Sequence, residues 1–281
     1  MSNKARIRIG NQTAFCAAHF MQPFDYAIEN GFEAFEWFPD KKSCGAGWDE
    51  NDLDKPTRLH IRERARAHNV RLSVHARWQV NPLQAEAWPL LLRDVELASD
   101  LGAVLLNIHL HTEEGIQRYI HAITPLIRLL ADRQIQLAIE NTPVTGPEDF
   151  NQLFAGLRSL NSVPTDSAGM CLDLGHANLY GWTRHDFLKY LDQLSPQVPI
   201  IHLHVHENYG DHDSHLPLFT GPAGQDCSGV IGLLQRLHQR HYSGSFILEQ
   251  WPHPVSLLKQ ARDKLVACST VPEEAPEGDP G

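Results

Sequence analysis

The 281 residues contain no C-x-x-C pair, no G-x-G-x-x-G loop and no apolar run approaching the length of a membrane span. Each absence removes a class of protein. The five cysteines (Cys16, Cys44, Cys171, Cys227, Cys268) are odd in number and scattered. That excludes a disulfide framework and reads as a reduced, cytoplasmic chain. Without a glycine-rich phosphate loop after the first strand, an open dinucleotide-binding sheet loses its signature. With no long apolar segment, and no apolar stretch behind MSNKARIRIG, neither membrane insertion nor export is expected. Positive charge is also short: 24 Lys and Arg stand against 34 Asp and Glu, a net charge of −10. That balance argues against nucleic acid as a partner. Glu273, Glu274, Glu277 and Asp279 crowd a Pro/Glu/Gly-rich tail from Thr270. The expectation is one domain over 1–269 and a disordered tail over 270–281.

Histidine is abundant, at 17 residues, and 42% of the chain is hydrophobic. A chain of this length suits one large domain. Strand-like runs are predicted at 6–9, 34–38, 71–75, 104–109, 136–140, 169–173, 200–204 and 245–249. Helical patterns alternate with them at 22–30, 56–68, 83–101, 113–132, 147–160, 184–194, 230–240 and 255–266, with a kink expected at Pro125. Eight βα units in strict alternation predict a parallel sheet closed into a (β/α)8 TIM barrel.

The active site of such a barrel lies at the C-terminal ends of its strands. The second strand carries Glu36. The later ones end on or carry His75, His109, Glu140, Asp173, His204 and Glu249, and from His75 to His204 the interval is 31 to 34 residues. Six successive strand ends of metal-ligand type converge on one axis. The motif DLGH brings His176 back over its strand end, and DHDSH (211–215) offers Asp213 and His215 from a long loop. In IHLHVHEN, His202, His204 and His206 share one face of a strand. His204 is read as the ligand, with the other two behind it or structural. His19, His111 and His212 are candidates to support ligands or touch substrate. His60, His68, His121, His238 and His241 fall on helices. The loops 10–19, 39–55, 76–82 and 205–229 would set specificity, with Trp48, Trp78 and Trp182 lining a pocket or an oligomer interface.

The ordered motifs GFEAFEWF, LSVHA, AIENTP, CLDLGHAN, HVHEN, DSHLPL and FILE resemble the xylose-isomerase-like barrel superfamily over nearly the whole chain. That group holds sugar and sugar-phosphate isomerases and epimerases, together with the endonuclease IV type of abasic-site nuclease. The epimerase pattern implies one divalent ion on Glu140, Asp173, His204 and Glu249, with His176 on the substrate. Glu140 and Glu249 would then exchange protons with opposite faces of an enediolate. The nuclease pattern implies up to three ions on those residues plus His75, His109, His176, Asp213 and His215. Departures from it include Leu174–Gly175 before His176, Ser214 where an Arg is expected, His111, and LPLFTG in place of Gly-Glu-Gly. The arginine some epimerases carry after the seventh strand is missing as well. Mixed His and carboxylate ligation suits Mn, Zn, Co or Fe. The reading is therefore a metal-dependent sugar or sugar-phosphate isomerase or epimerase. A multinuclear phosphodiesterase is the alternative, and a non-catalytic metal-binding scaffold the third.

Overall fold

Strand and helix alternate throughout the computed structural model, which describes residues 7–14, 16–160, 163–164 and 166–269. In chain order the elements are β1 (Arg8–Gln12), α1 (Gln22–Glu29), β2 (Ala34–Trp37), α2 (Lys55–Ala67), β3 (Arg71–His75), α3 (Trp88–Leu101), β4 (Leu105–His109) and α4 (Ile116–Ala131). There follow β5 (Gln136–Glu140), α5 (Pro147–Arg158), β6 (Ala168–Asp173), α6 (Leu174–Leu179), α7 (Phe187–Gln193), β7 (Ile200–Val205), α8 (Pro222–Gln225), α9 (Ser228–Gln239), β8 (Ser245–Leu248) and α10 (Ser256–Ser269). The strands pair in parallel in sequence order, and β1 pairs with β8 to close the barrel. The expected (β/α)8 TIM barrel is the fold. The expected tail over 270–281, and Arg6 of the first predicted strand, lie outside the described residues.

Local signals explain most boundaries. The helix α3 ends at Gly102, whose φ of 67° is the left-handed conformation that closes helices at little cost to glycine. The helix α4 buries Tyr119, Ile120, Ile123, Leu126, Ile127 and Leu130 on one face and runs unbroken through Pro125. The strand β1 extends further than its composition suggests. Gly10, Asn11 and Gln12 are poor strand formers, yet they pair with β2, and Asn11 also pairs with Leu248 of β8. Pairing on both sides overrides propensity here. The short α6 has no counterpart among the predicted helices. It starts because the Asp173 carboxylate accepts the backbone N–H of His176 at 2.6 Å.

Trp48 corrects an expectation. Rather than lining a pocket or an interface, it is fully buried, edge-on to Trp37 with ring centroids 5.5 Å apart. The loop after β2 folds back to close the core under itself. Trp48→Ala is therefore expected to lower stability by about 3–5 kcal/mol, read from the denaturant midpoint. A loss below about 1 kcal/mol would place the ring at the surface after all. Among the described residues, no helix is long and apolar enough to cross a membrane.

Candidate metal centre

The inward face of β7 sets the depth of the site. His202, His204 and His206 are all buried, at successive levels of the barrel interior. His202 and His204 reach Glu36 of β2, which lies inside the barrel below the ring of strand ends. The His202 Nε2 is 2.9 Å from Glu36 Oε2, and the His204 Nε2 is 2.7 Å from Oε1. Ser73 donates its hydroxyl to Glu36 Oε2 at 2.9 Å. The opposite nitrogen of His204, Nδ1, faces upward. It lies 3.2 Å from Glu140 Oε2, 3.1 Å from Glu249 Oε1 and 3.9 Å from Asp173 Oδ2.

Glu140, at the end of β5, is the node of the cluster. His75 Nε2 of β3 stands 3.1 Å from its Oε2, and the Asn107 side-chain amide donates to the same oxygen. His109 Nε2 of β4 and His176 Nδ1 of α6 stand 3.6 and 3.5 Å from Oε1. The rings are held from behind. His75 Nδ1 meets the Ala76 carbonyl at 2.5 Å, His176 Nδ1 the Asn141 carbonyl at 2.8 Å, and Tyr119 donates to the His109 carbonyl at 2.7 Å. Imidazoles with one nitrogen fixed and the other aimed at carboxylates are the arrangement metal ligands need.

The loop after β7 supplies an outer group. Asp213 Oδ2 lies 3.3 Å from His176 Nε2 and 3.0 Å from His215 Nε2. His215 Nδ1 is 3.8 Å from Glu249 Oε2. The loop is clamped by Glu207, whose backbone bridges to Leu216 and whose carboxylate accepts the N–H groups of Phe219 and Ala223. His206 departs from its assigned place behind the ligands. Its Nε2 is 3.2 Å from Asp173 Oδ2, and its ring stacks on His215 with centroids 3.9 Å apart. Gly175 makes room for it, since a Cβ there would overlap the His206 ring.

All nine predicted ligands thus meet in one cluster. His19, His111 and His212 do not join it, and instead contact Met21, Glu113 and Asp211. Sequence reasoning missed Glu207, Asn107 and Asn141, and misplaced Glu36 and His206. Only Asn107 had a signal, since it lies two residues before His109 on the same inward face.

The electrostatics are those of a charged, dry cluster. Burial opposes ionisation of Glu140, but His204, His109 and His75 outweigh it and hold the carboxyl well below its usual range. Burial also opposes the charge on Asp173, which His176 and His206 keep ionised. Glu249 shifts upward, through burial and the negative charges of Asp173 and Glu140. Burial disfavours the His176 cation, yet Asp173 and Asp213 push its pKa up to about 10. The donor spacings suit an ion. Ligand atoms on a tetrahedral ion at about 2.0–2.1 Å stand about 3.3 Å apart. The nitrogens and oxygens facing the centre stand 3.1–3.9 Å apart. Moreover, His204 Nδ1 is buried without a hydrogen-bond partner. The residues fit a divalent cation.

Around the mouth, Trp78, Val144, Trp182 and Tyr209 are exposed on strand-end loops. Cations there are already engaged. Lys41 pairs with Asp49 and Asp52, Arg77 with Glu50 and Asp94, and Arg184 donates to the Gly210 carbonyl.

Comparison with known proteins gives the same architecture. A family model described as the xylose isomerase-like TIM barrel matches residues 24–268. An uncharacterized protein of Sinorhizobium fredii is 27% identical over 240 residues, 72% of this chain and 73% of that protein. The crystal structure of a D-tagatose 3-epimerase-like protein matches with a TM-score of 0.72 at 18% identity, covering 94% of this chain and 98% of the other. Endonuclease IV from Thermus thermophilus matches with a TM-score of 0.64 at 22% identity, covering 93% and 98%.

Proposed function

The chain belongs to the xylose isomerase-like TIM barrel family, and from that footing we propose a divalent-metal-dependent isomerase or epimerase of a small sugar or sugar phosphate. The observation that carries this reading is His204 Nδ1, flanked by Glu140 at 3.2 Å and Glu249 at 3.1 Å, with Asp173 beside them. These four residues would hold one ion, whose contribution is Lewis acidity toward a carbonyl and its neighbouring hydroxyl. The protein supplies the proton traffic. Glu140 Oε2 and Glu249 Oε1 come from different strands and approach the same point. One removes the proton from the carbon between carbonyl and hydroxyl. The other returns a proton from its own side. His176, fixed by the Asn141 carbonyl, turns Nε2 outward to steady a substrate hydroxyl. Burial of the carboxylates keeps bulk water from exchanging the proton in transit.

The engaged cations around the mouth support a small substrate over a duplex. A nucleic-acid surface needs Lys and Arg free to meet phosphates, and Lys41, Arg77 and Arg184 are spent on internal partners. Phosphodiester hydrolysis by a multinuclear centre is the second reading. It is favoured by one specific feature, the presence of His75 and His109 on Glu140 and of Asp213 and His215 on His176.

The expected result is one tightly bound ion per chain and deuterium uptake at the carbon next to the carbonyl when a panel of ketoses is incubated with the metal-loaded protein in D2O. Three tightly bound ions, with cleavage of an abasic oligonucleotide and no deuterium uptake, would replace this reading with the second. Removing the ion by a chelator is expected to abolish exchange and to lower the melting temperature, since ion binding favours the folded state.

A further inference from the structure

Glu36 lies wholly inside the barrel, in no position to meet substrate, and no step of the chemistry above uses it. Its carboxylate is nevertheless surrounded. Ser73 donates to Oε2 at 2.9 Å, His202 Nε2 meets Oε2 at 2.9 Å, and His204 Nε2 meets Oε1 at 2.7 Å. We propose that Glu36 is the positioning residue that fixes which ring nitrogen His204 presents to the centre, with Ser73 and His202 holding Glu36 in turn. The proposal rests on the metal-dependent reading above and goes beyond its four ligands.

The distances separate the two sides of His204. Contacts to Glu36 have the length of hydrogen bonds. Contacts on the other side, at 3.1–3.9 Å, have the spacing of donors around an ion. A separate ion between Glu36, His202 and His204 would force these atoms apart from 2.7 and 2.9 Å. A carboxylate accepts only, so both imidazoles place their N–H at Nε2. A neutral imidazole with its proton on Nε2 carries its lone pair on Nδ1. In His204 that lone pair points between Glu140 and Glu249, and Nδ1 has no hydrogen-bond partner of its own. The repeated H-x-H of β7 then has a division of labour. His204 faces the ion, and His202 tethers the carboxylate that orients His204.

The test uses the full chain labelled with 15N-histidine and loaded with Zn2+, and its Co2+ form titrated against a competing chelator. In the wild type, His204 is expected to carry its proton on Nε2. Glu36→Gln keeps the shape but loses the charge and sets an amide N–H against a ring nitrogen. It is expected to weaken Co2+ binding about 10–100-fold and to change the visible spectrum of the ion. Ser73→Ala leaves the carboxylate in place with one bond fewer, and a weakening of several-fold is expected. If Glu36→Gln does not fold, Ser73→Ala and the wild-type tautomer decide. A proton on Nδ1 of His204, or a folded variant with wild-type affinity and spectrum, would overturn the proposal. Failure of the wild type to bind either ion would instead overturn the metal-dependent reading, and this inference with it.

Discussion

Glu140→Gln is expected to lower turnover by about 1,000-fold or more, combining loss of a proton-transfer group with a damaged ion site. The size follows from its position. His75 and His204 approach Oε2 at 3.1 and 3.2 Å, and His109 and His176 approach Oε1 at 3.6 and 3.5 Å. Glutamine has the same shape but offers one N–H face, which meets either the His75–His204 side or the His109–His176 side. Whichever side it takes, two imidazoles lose the anion they point at. Ion content per chain should fall with turnover, and both are measured on the same preparation. A variant that kept its ion and stayed within tenfold of wild-type turnover would move the centre away from Glu140.

The second large effect is expected at Gly175. A Cβ on this residue would sit 1.9 Å from Cε1 of His206 and 2.5 Å from both ring nitrogens. The ring has little freedom to retreat, because it is buried between Asp173 and the His215 ring. Gly175→Ala should therefore lower stability by about 1–3 kcal/mol through overpacking. It should also weaken ion binding at least tenfold, since displacing His206 disturbs Asp173 in the same movement. Gly175→Ala combined with His206→Gly should regain much of the lost stability, a coupling that a double-mutant cycle measures. Equal losses in the single and double variants would show that the ring and the glycine are not in conflict.

The barrel was legible because period and punctuation agree. Strand ends such as His75 and Glu140 were placed to the residue, since each closes an apolar run before a loop. The nine predicted ligands could be named because β-strand alternation and barrel closure send all strand ends to one axis, without knowledge of any loop. Depth along that axis was not legible. Glu36 and His75 both read as strand-end polar residues, yet one lies below the ring of strand ends and the other within it. The difference comes from the stagger of β2 against β3, where Glu36 pairs with Ser73 and not with His75. His206 was misjudged for a related reason. Whether a third imidazole reaches the axis depends on Gly175 in a different element, and pairwise space of that kind leaves no periodic trace. Trp48 shows the limit for loops, because a tryptophan next to glycines reads equally as a pocket wall or as a core plug.

The residues around His204 Nδ1 come from β5, β6, β7 and β8, and no two of them adjoin in sequence. High-affinity ion uptake is therefore a clock for the last event of folding. Partial barrels lacking β8 lack Glu249, and a helix or hairpin formed early carries at most an isolated ligand. In a refolding experiment the tight Co2+ spectrum should rise with the slowest phase that completes the barrel, and not with the earlier recovery of helical signal.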